Sequence, residues 1–232
     1  MLLMFGSGAA AFSPSDVVSK LFWYKSDGMV VDGSQWTDSI SGNNLLCGGL
    51  IKPVYHASGQ NSKPYFSCGA TPTSFFQRAA FAGLAGCAKF RFYVVGKRFS
   101  VEQDDNNVHV DRTNFFQYDA DDNVYAQFTN AIYGNVADAN AVAYWEERYN
   151  GAGAGNTGRL KVFKNTAEQT LGFAGTIPAT TQALADQIFV VGAVAGGTLV
   201  IPGDVYEIFC ALDPTAGEQT SLDTYFMSRF AL

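Results

Sequence analysis

The run AKFRFYVVGKRF, residues 88–99, constrains what this chain can fold into more than any other stretch. Phe90, Phe92 and Val94 alternate with Lys89, Arg91 and Tyr93. A period of two places successive side chains on opposite faces, so the run predicts a half-buried β-strand. Further short strands follow from LFWYKS (21–26), KPYFSC (63–68), VAYWEERYN (142–150), GRLKVFKN (158–165) and GDVYEIFCAL (203–212). DQIFVVGAV (186–194) is nearly all apolar, as expected of a strand covered on both faces. NFFQYD and NVYAQFT flank Ala120, Asp121 and Asp122 and predict a hairpin. This many short strands at close spacing, with no linker, predict an all-β, two-sheet antiparallel sandwich spanning residues 13–232 as one domain.

Composition agrees with that class. The chain has 232 residues, of which 24 are glycine, 19 phenylalanine and 11 tyrosine, a mixture that suits strands and tight turns. The net charge is −6 and no basic stripe is present, which argues against nucleic-acid binding. No stretch approaches the roughly 20 apolar residues of a membrane-spanning helix. Cys47, Cys68, Cys87 and Cys210 form no C-x-x-C pair and have no histidine pair nearby, so we expect small buried thiols and no zinc site.

Two segments depart from the strand pattern. Asp213-Pro214 is followed by Thr215-x-x-Glu218, a capping box, and Leu222, Tyr225, Phe226 and Arg229 then recur at helical spacing. A short C-terminal helix near 218–229 is expected, docking Leu222 and Phe226 on a sheet. Ser13-Pro14 predicts a second short helical turn. Before it lies an apolar arm, residues 1–12, with Leu2, Leu3, Met4, Phe5 and Phe12 broken by Gly6 and Gly8. It lacks the early basic residues of a signal peptide, so we expect a retained arm and synthesis in the host cytoplasm. Docking it on a neighbouring copy would gain about 25 cal/mol per Å² of apolar surface removed from water.

Both ends carry motifs beyond simple periodicity. Ser13, Pro14, Trp23, Asp27, Trp36, Asp38, Ser41, Gly42 and Asn43 stand in an order that resembles the opening of concanavalin A-like, laminin-G-like jelly-roll domains of phage and bacterial proteins. The Gly203-Asp204-x-x-Glu207 strand and the following helix resemble that family's close. The resemblance implies a jelly roll with Trp23 in the core and Trp36 pinning the turn after Asp38. It also implies structural roles for Asp204, at a turn, and for Glu207, beside a basic side chain.

Such folds also host glycosidases, which need two carboxyls on one face. The laminarinase-type Glu-x-Asp-x-x-Glu pattern is absent. Asp204 and Glu207 are three apart and Glu146 and Glu147 adjacent, so regular strand geometry sends each pair to opposite faces. Gly153-x-Gly155-x-x-Gly158 matches a dinucleotide fingerprint only formally, because a strand and not a long helix follows it. Asp119, Asp121 and Asp122 could hold calcium in a β loop, although Val124 and Asn130 replace the glycine and glutamate of an EF-hand. His56 and His109 are isolated, and no catalytic set is evident.

The first expectation is therefore a noncatalytic virion structural protein of phage type, a capsid decoration or a tail and host-contact component. It would assemble with copies of itself and other virion proteins through the arm and sandwich surfaces. The alternative is a lectin-like carbohydrate-binding module, calcium-dependent or not, with Tyr118, Tyr125, Tyr133 and Tyr149 as candidate contacts to a cell-surface glycan. A glycoside hydrolase ranks third.

Overall fold

In a computed structural model of the chain, the described residues are 11–68, 74–78, 83–98, 108–110, 113–118, 123–129, 132–137, 141–181, 189–191 and 203–232. The first strands are β1 (Lys20–Met29), β2 (Gln35–Asp38), β3 (Leu45–Cys47), β4 (Val54–His56), β5 (Tyr65–Cys68) and β6 (Phe76–Arg78). Next come β7 (Lys89–Arg98), β8 (Val108–Val110), β9 (Thr113–Tyr118), β10 (Asn123–Thr129), β11 (Ile132–Ala137) and β12 (Ala143–Asn150). A short helix α1 (Gly155–Arg159) precedes β13 (Leu160–Lys164), β14 (Ala167–Glu168), β15 (Gly172–Ala174), β16 (Phe189–Val191) and β17 (Gly203–Ala211). The helix α2 (Ala216–Phe230) closes the fold.

Every pairing among the described strands is antiparallel. The central sheet runs β1-β17-β7-β12-β13-β14, and β5, with β4 beyond it, borders the start of β17. Through β2 the chain passes to a second sheet, β3-β6-β16-β8-β9-β10-β11-β15. The β9–β10 hairpin forms as expected, with Val124 opposite Tyr118.

The two faces of the central sheet bury different partners. Inward, Phe22, Tyr24, Phe90, Phe92, Val94, Trp145, Ile208 and Cys210 meet Val124, Ala126 and Phe128 of the second sheet. Outward, Trp23, Tyr93, Val95, Tyr144 and Phe209 meet Leu222, Phe226 and Phe230 of α2. Both faces being covered, every residue of β17 is buried. Polar groups there need partners within the protein.

The sequence explains α2. Thr215 accepts from the Glu218 amide at 3.2 Å and Glu218 accepts from the Thr215 amide at 2.7 Å, the reciprocal capping box. Leu222, Phe226 and Phe230 recur every four residues and form one buried stripe. Phe226 stacks on Tyr144 and Tyr93, with ring centroids 5.1 and 5.7 Å apart. Glu218 also accepts from the Val18 amide at 2.8 Å, so the cap ties α2 to the segment before β1. At the other end of the chain, Ser13 caps a 3₁₀ turn over Pro14–Asp16.

Several expectations can be compared with the described residues. Residues 1–10 of the arm lie outside the described residues, and Phe12 packs against the protein's own helix-side cluster. Trp36 does more than pin a turn: it is fully buried in the inner core against Tyr24, Phe66 and Phe76. Asp38 pins the turn instead. Its carboxylate accepts from the Trp23, Ile40 and Asn43 amides at 2.9, 3.0 and 3.1 Å, and from the Ser41 hydroxyl. The glycine-rich loop leads into α1, but α1 has only five residues and β13 follows at once. Among the described residues no helix is long and apolar enough to cross a membrane. All four cysteines are free thiols; Cys68 and Cys210 are buried and Cys47 and Cys87 half-buried. Burial pushes the Cys68 thiol up to about 12.

Candidate functional site

The carboxylates come first, because a hydrolase would need them. Asp204 and Glu207 do not point to opposite faces. The register of β17 against β7 shifts between Val205 and Glu207, a β-bulge that inserts one residue and restores both carboxylates to the outward face. Asp204 lies within β17, not at a turn. It accepts from the Ser67 hydroxyl at 2.6 Å and pairs with Lys97 at 3.5 Å. Glu207 is fully buried. It accepts from Trp23 Nε1 at 2.7 Å, from the Tyr225 hydroxyl at 2.9 Å and from Arg229 Nε at 2.8 Å. Burial pushes the Glu207 carboxyl up against these three donors. The Arg229 guanidinium and the hydrogen bonds from Trp23 and Tyr225 act in the opposite sense, favouring the charged form. Arg229 reaches on to Ser26 and Asp27, so one guanidinium clamps α2 to β1 and β17.

Glu146 and Glu147 do face opposite ways. Glu146 points outward and accepts from Arg148 Nε and Nη2 at 2.7 and 2.6 Å, with Arg91 at 3.5 Å. The Tyr144 hydroxyl donates to Asp223 of α2 at 2.6 Å. Glu147 points inward, fully buried, level with Phe92 on β7 and Val162 on β13. Neither of its carboxyl oxygens has a hydrogen-bond partner. Desolvation drives this carboxyl well above the usual carboxylate range and favours its neutral form.

The four candidate tyrosines separate. Tyr149 is a core residue: its ring stacks on Phe90 at 5.2 Å, and its hydroxyl donates to the Pro178 carbonyl at 2.8 Å. It is 2% exposed and cannot touch a glycan. β12 is covered on both faces, and alternation alone does not mark which face is open. Tyr118 closes β9, opposite Val124. Tyr125 and Tyr133 stand together on the outward face of the second sheet. Their neighbours Val124, Ala126 and Phe128 fill the core, so β10 turns Tyr125 the other way. The two rings meet edge to face at 4.7 Å, and both are partly exposed.

Sequence reasoning missed the surroundings of this pair. Asn135 lies opposite Tyr125 across β10 and β11. On the next strand, Gly172 and Ala174 lie opposite Asn135 and Tyr133. A Cβ at Gly172 would sit 2.7 Å from Asn135 Oδ1, so only glycine leaves that amide in place. The result is a shelf with an aromatic pair, an amide and two small residues beside them. Only the alternation in VYAQF hinted at it. At the border of this sheet, Lys161, Glu168, Gln169 and Phe173 line a cleft of about 400 Å³. Asp119, Asp121 and Asp122 lie outside the described residues, among which no group of three metal-ligating side chains gathers.

No family model matches the chain, and no curated protein matches it in sequence. Solved structures do match its fold. A Trypanosoma rangeli sialidase in complex with 2,3-difluorosialic acid aligns over 99% of this chain and 35% of its own, with TM-score 0.62 and 9% identity. The botulinum neurotoxin serotype D ligand binding domain, in complex with N-acetylneuraminic acid, aligns over 93% of this chain and 53% of its own, with TM-score 0.61 and 9% identity. Domain 4 of AbnA, a GH43 extracellular arabinanase from Geobacillus stearothermophilus in complex with arabinotriose, aligns over 89% of this chain and 98% of its own, with TM-score 0.57 and 12% identity. The chain thus spans about a third of the sialidase and about half of the toxin chain. At such identities the likeness establishes the fold, an antiparallel β-sandwich, and nothing about activity.

Proposed function

We propose that this chain is a noncatalytic carbohydrate-binding module that receives its glycan on the outward face of the second sheet, against Tyr125 and Tyr133. The observation that carries the reading is this aromatic pair. Sugar rings present apolar C–H faces that stack on aromatic side chains, while neighbouring amides bond their hydroxyls. Tyr125 and Tyr133 supply the rings and Asn135 the amide. The fold neighbours add support, since two of them are complexes with N-acetylneuraminic acid and arabinotriose.

The carboxylates support a binding role over hydrolysis. Glu207 and Glu146 are held by guanidinium groups, Asp204 by Ser67 and Lys97, and Glu147 is sealed in the core. None is left to protonate a leaving group or to activate water. The virion reading gains no support from the comparisons and rests on the N-terminal sequence and the resemblance alone. A calcium-assisted version of the glycan site would draw on Asp119, Asp121 and Asp122, which lie between Tyr118 and Tyr125 in the sequence.

A glycan array probed with and without EDTA tests the proposal. Binding to at least one glycan class supports it, and loss of that binding in EDTA assigns calcium a part. No binding under either condition, with the protein shown to be folded, overturns it.

A further inference from the structure

Seven large apolar side chains stand exposed among the described residues, and six of them lie in two stretches of the fold. Val30 and Val31 sit in the turn between β1 and β2. Leu46, Leu50, Ile51 and Val54 run from β3 to the start of β4. Three observations bring the two stretches together. Lys52 reaches Asp32 at 2.7 Å. The Cys47 amide donates to the Ser34 carbonyl at 2.9 Å. Gly33, at φ +70°, comes so near the Pro53 carbonyl that a Cβ there would lie 2.1 Å from its oxygen. That contact requires glycine and holds the two loops as one surface. Leu50 is 93% exposed and Val31 70%. Single exposed apolar residues are ordinary, but six on two stretches that are tied together mark a contact site.

We infer that this surface is where a second copy of the chain docks, patch against patch about a two-fold axis. Charge is the first reason. Asp32 and Lys52, the charges in the middle of the patch, neutralise each other, so setting the patch against itself opposes no like charges. A lipid surface is a poorer fit. The chain carries a net charge of −6, and the cation within the patch already has its partner. The chain's own N-terminal arm is a poorer fit as well, because its last residue, Phe12, packs on the helix-side cluster. Size is the second reason. Six such side chains present on the order of several hundred Å² of apolar surface, enough for the core of a standard interface of roughly 800 Å² per partner. The short strand β4, which carries Val54, hydrogen-bonds to β5 alone among the described strands and extends the contact with an open edge.

Sedimentation equilibrium of the full chain from low to high micromolar concentration reads the association. A monomer–dimer equilibrium is expected, insensitive to added salt. Leu50→Asp with Ile51→Asp, both at exposed loop positions, should weaken it about tenfold or more while leaving the melting curve of the monomer unchanged. Removal of residues 1–10 should leave it intact. A monomer at every concentration overturns the inference, and so does a dimer that survives the double substitution or disappears with the arm. Binding of the monomer to anionic or zwitterionic vesicles through Leu50 and Ile51 would assign the patch to a membrane instead. None of these outcomes depends on glycan binding.

Discussion

The two sheets turn very different outward faces away from the core. On the central sheet the helix α2 roofs the face, and charged and aromatic groups under it contact the helix. Glu207 holds Trp23, Tyr225 and Arg229, and Tyr93 and Tyr144 stack beneath Phe226. On the second sheet no described element packs over Tyr125 and Tyr133, and the pair stays partly exposed. A residue type alone therefore says little about function here. Whether something covers the face decides whether an aromatic or a carboxylate works for the fold or for a ligand.

The strongest way to break this contrast is to unlock the roof. Arg229→Ala would leave Glu207 buried without its cation, at a cost of about 3–5 kcal/mol by chemical denaturation. A loss below about 1 kcal/mol would mean that α2 is not clamped by this pair. Leu222→Ala should cost about 2–5 kcal/mol, and a near-neutral result would show that the helix is not packed there.

Glu147 sharpens the comparison from inside, because it is a covered carboxylate with no use. Removing an unsatisfied buried polar group should stabilise, so Glu147→Leu is expected to gain about 1–3 kcal/mol at neutral pH. Linkage fixes the pH trend. The folded-state carboxyl is raised, so the native protein keeps a proton that the unfolded chain releases above its ordinary pKa of about 4.3. That contribution to stability is complete at lower pH and declines as pH rises toward the folded value. Denaturation midpoints at about pH 5 and about pH 8 should show this decline in the wild type and a flatter profile in Glu147→Gln. Equal slopes in the two proteins would mean that Glu147 is ionised in the fold. The smallest of these effects is at the cap, where Thr215→Ala should cost about 1 kcal/mol.

Much of this architecture was legible in the residues. Strand alternation placed Phe90, Phe92 and Val94 together on the inner face. The Thr215–Glu218 box and the four-residue spacing of Leu222 and Phe226 located α2, because both signals depend on neighbours in sequence. What could not be read depends on strands distant in sequence. The bulge at Val205–Glu207 exists only relative to β7, and it reversed the expected orientation of Glu207. Tyr149 stood among the candidate glycan contacts as a tyrosine, yet both faces of its strand are covered. The shelf around Tyr133 needed β15, which brings Gly172 and Ala174 beside it from a separate segment.

Titration calorimetry with the best glycan from the array, comparing tyrosines on the two faces, tests the central claim most directly. Tyr125→Ala and Tyr133→Ala remove the partly exposed pair, and each should cost only about 1 kcal/mol of stability. Tyr225→Phe alters a tyrosine of α2, the roof over the other sheet, by removing its hydrogen bond to Glu207. If the open face of the second sheet is the binding site, each alanine variant loses about tenfold or more in affinity while remaining folded, and Tyr225→Phe binds like the wild type. Undiminished binding in both alanine variants would contradict the account.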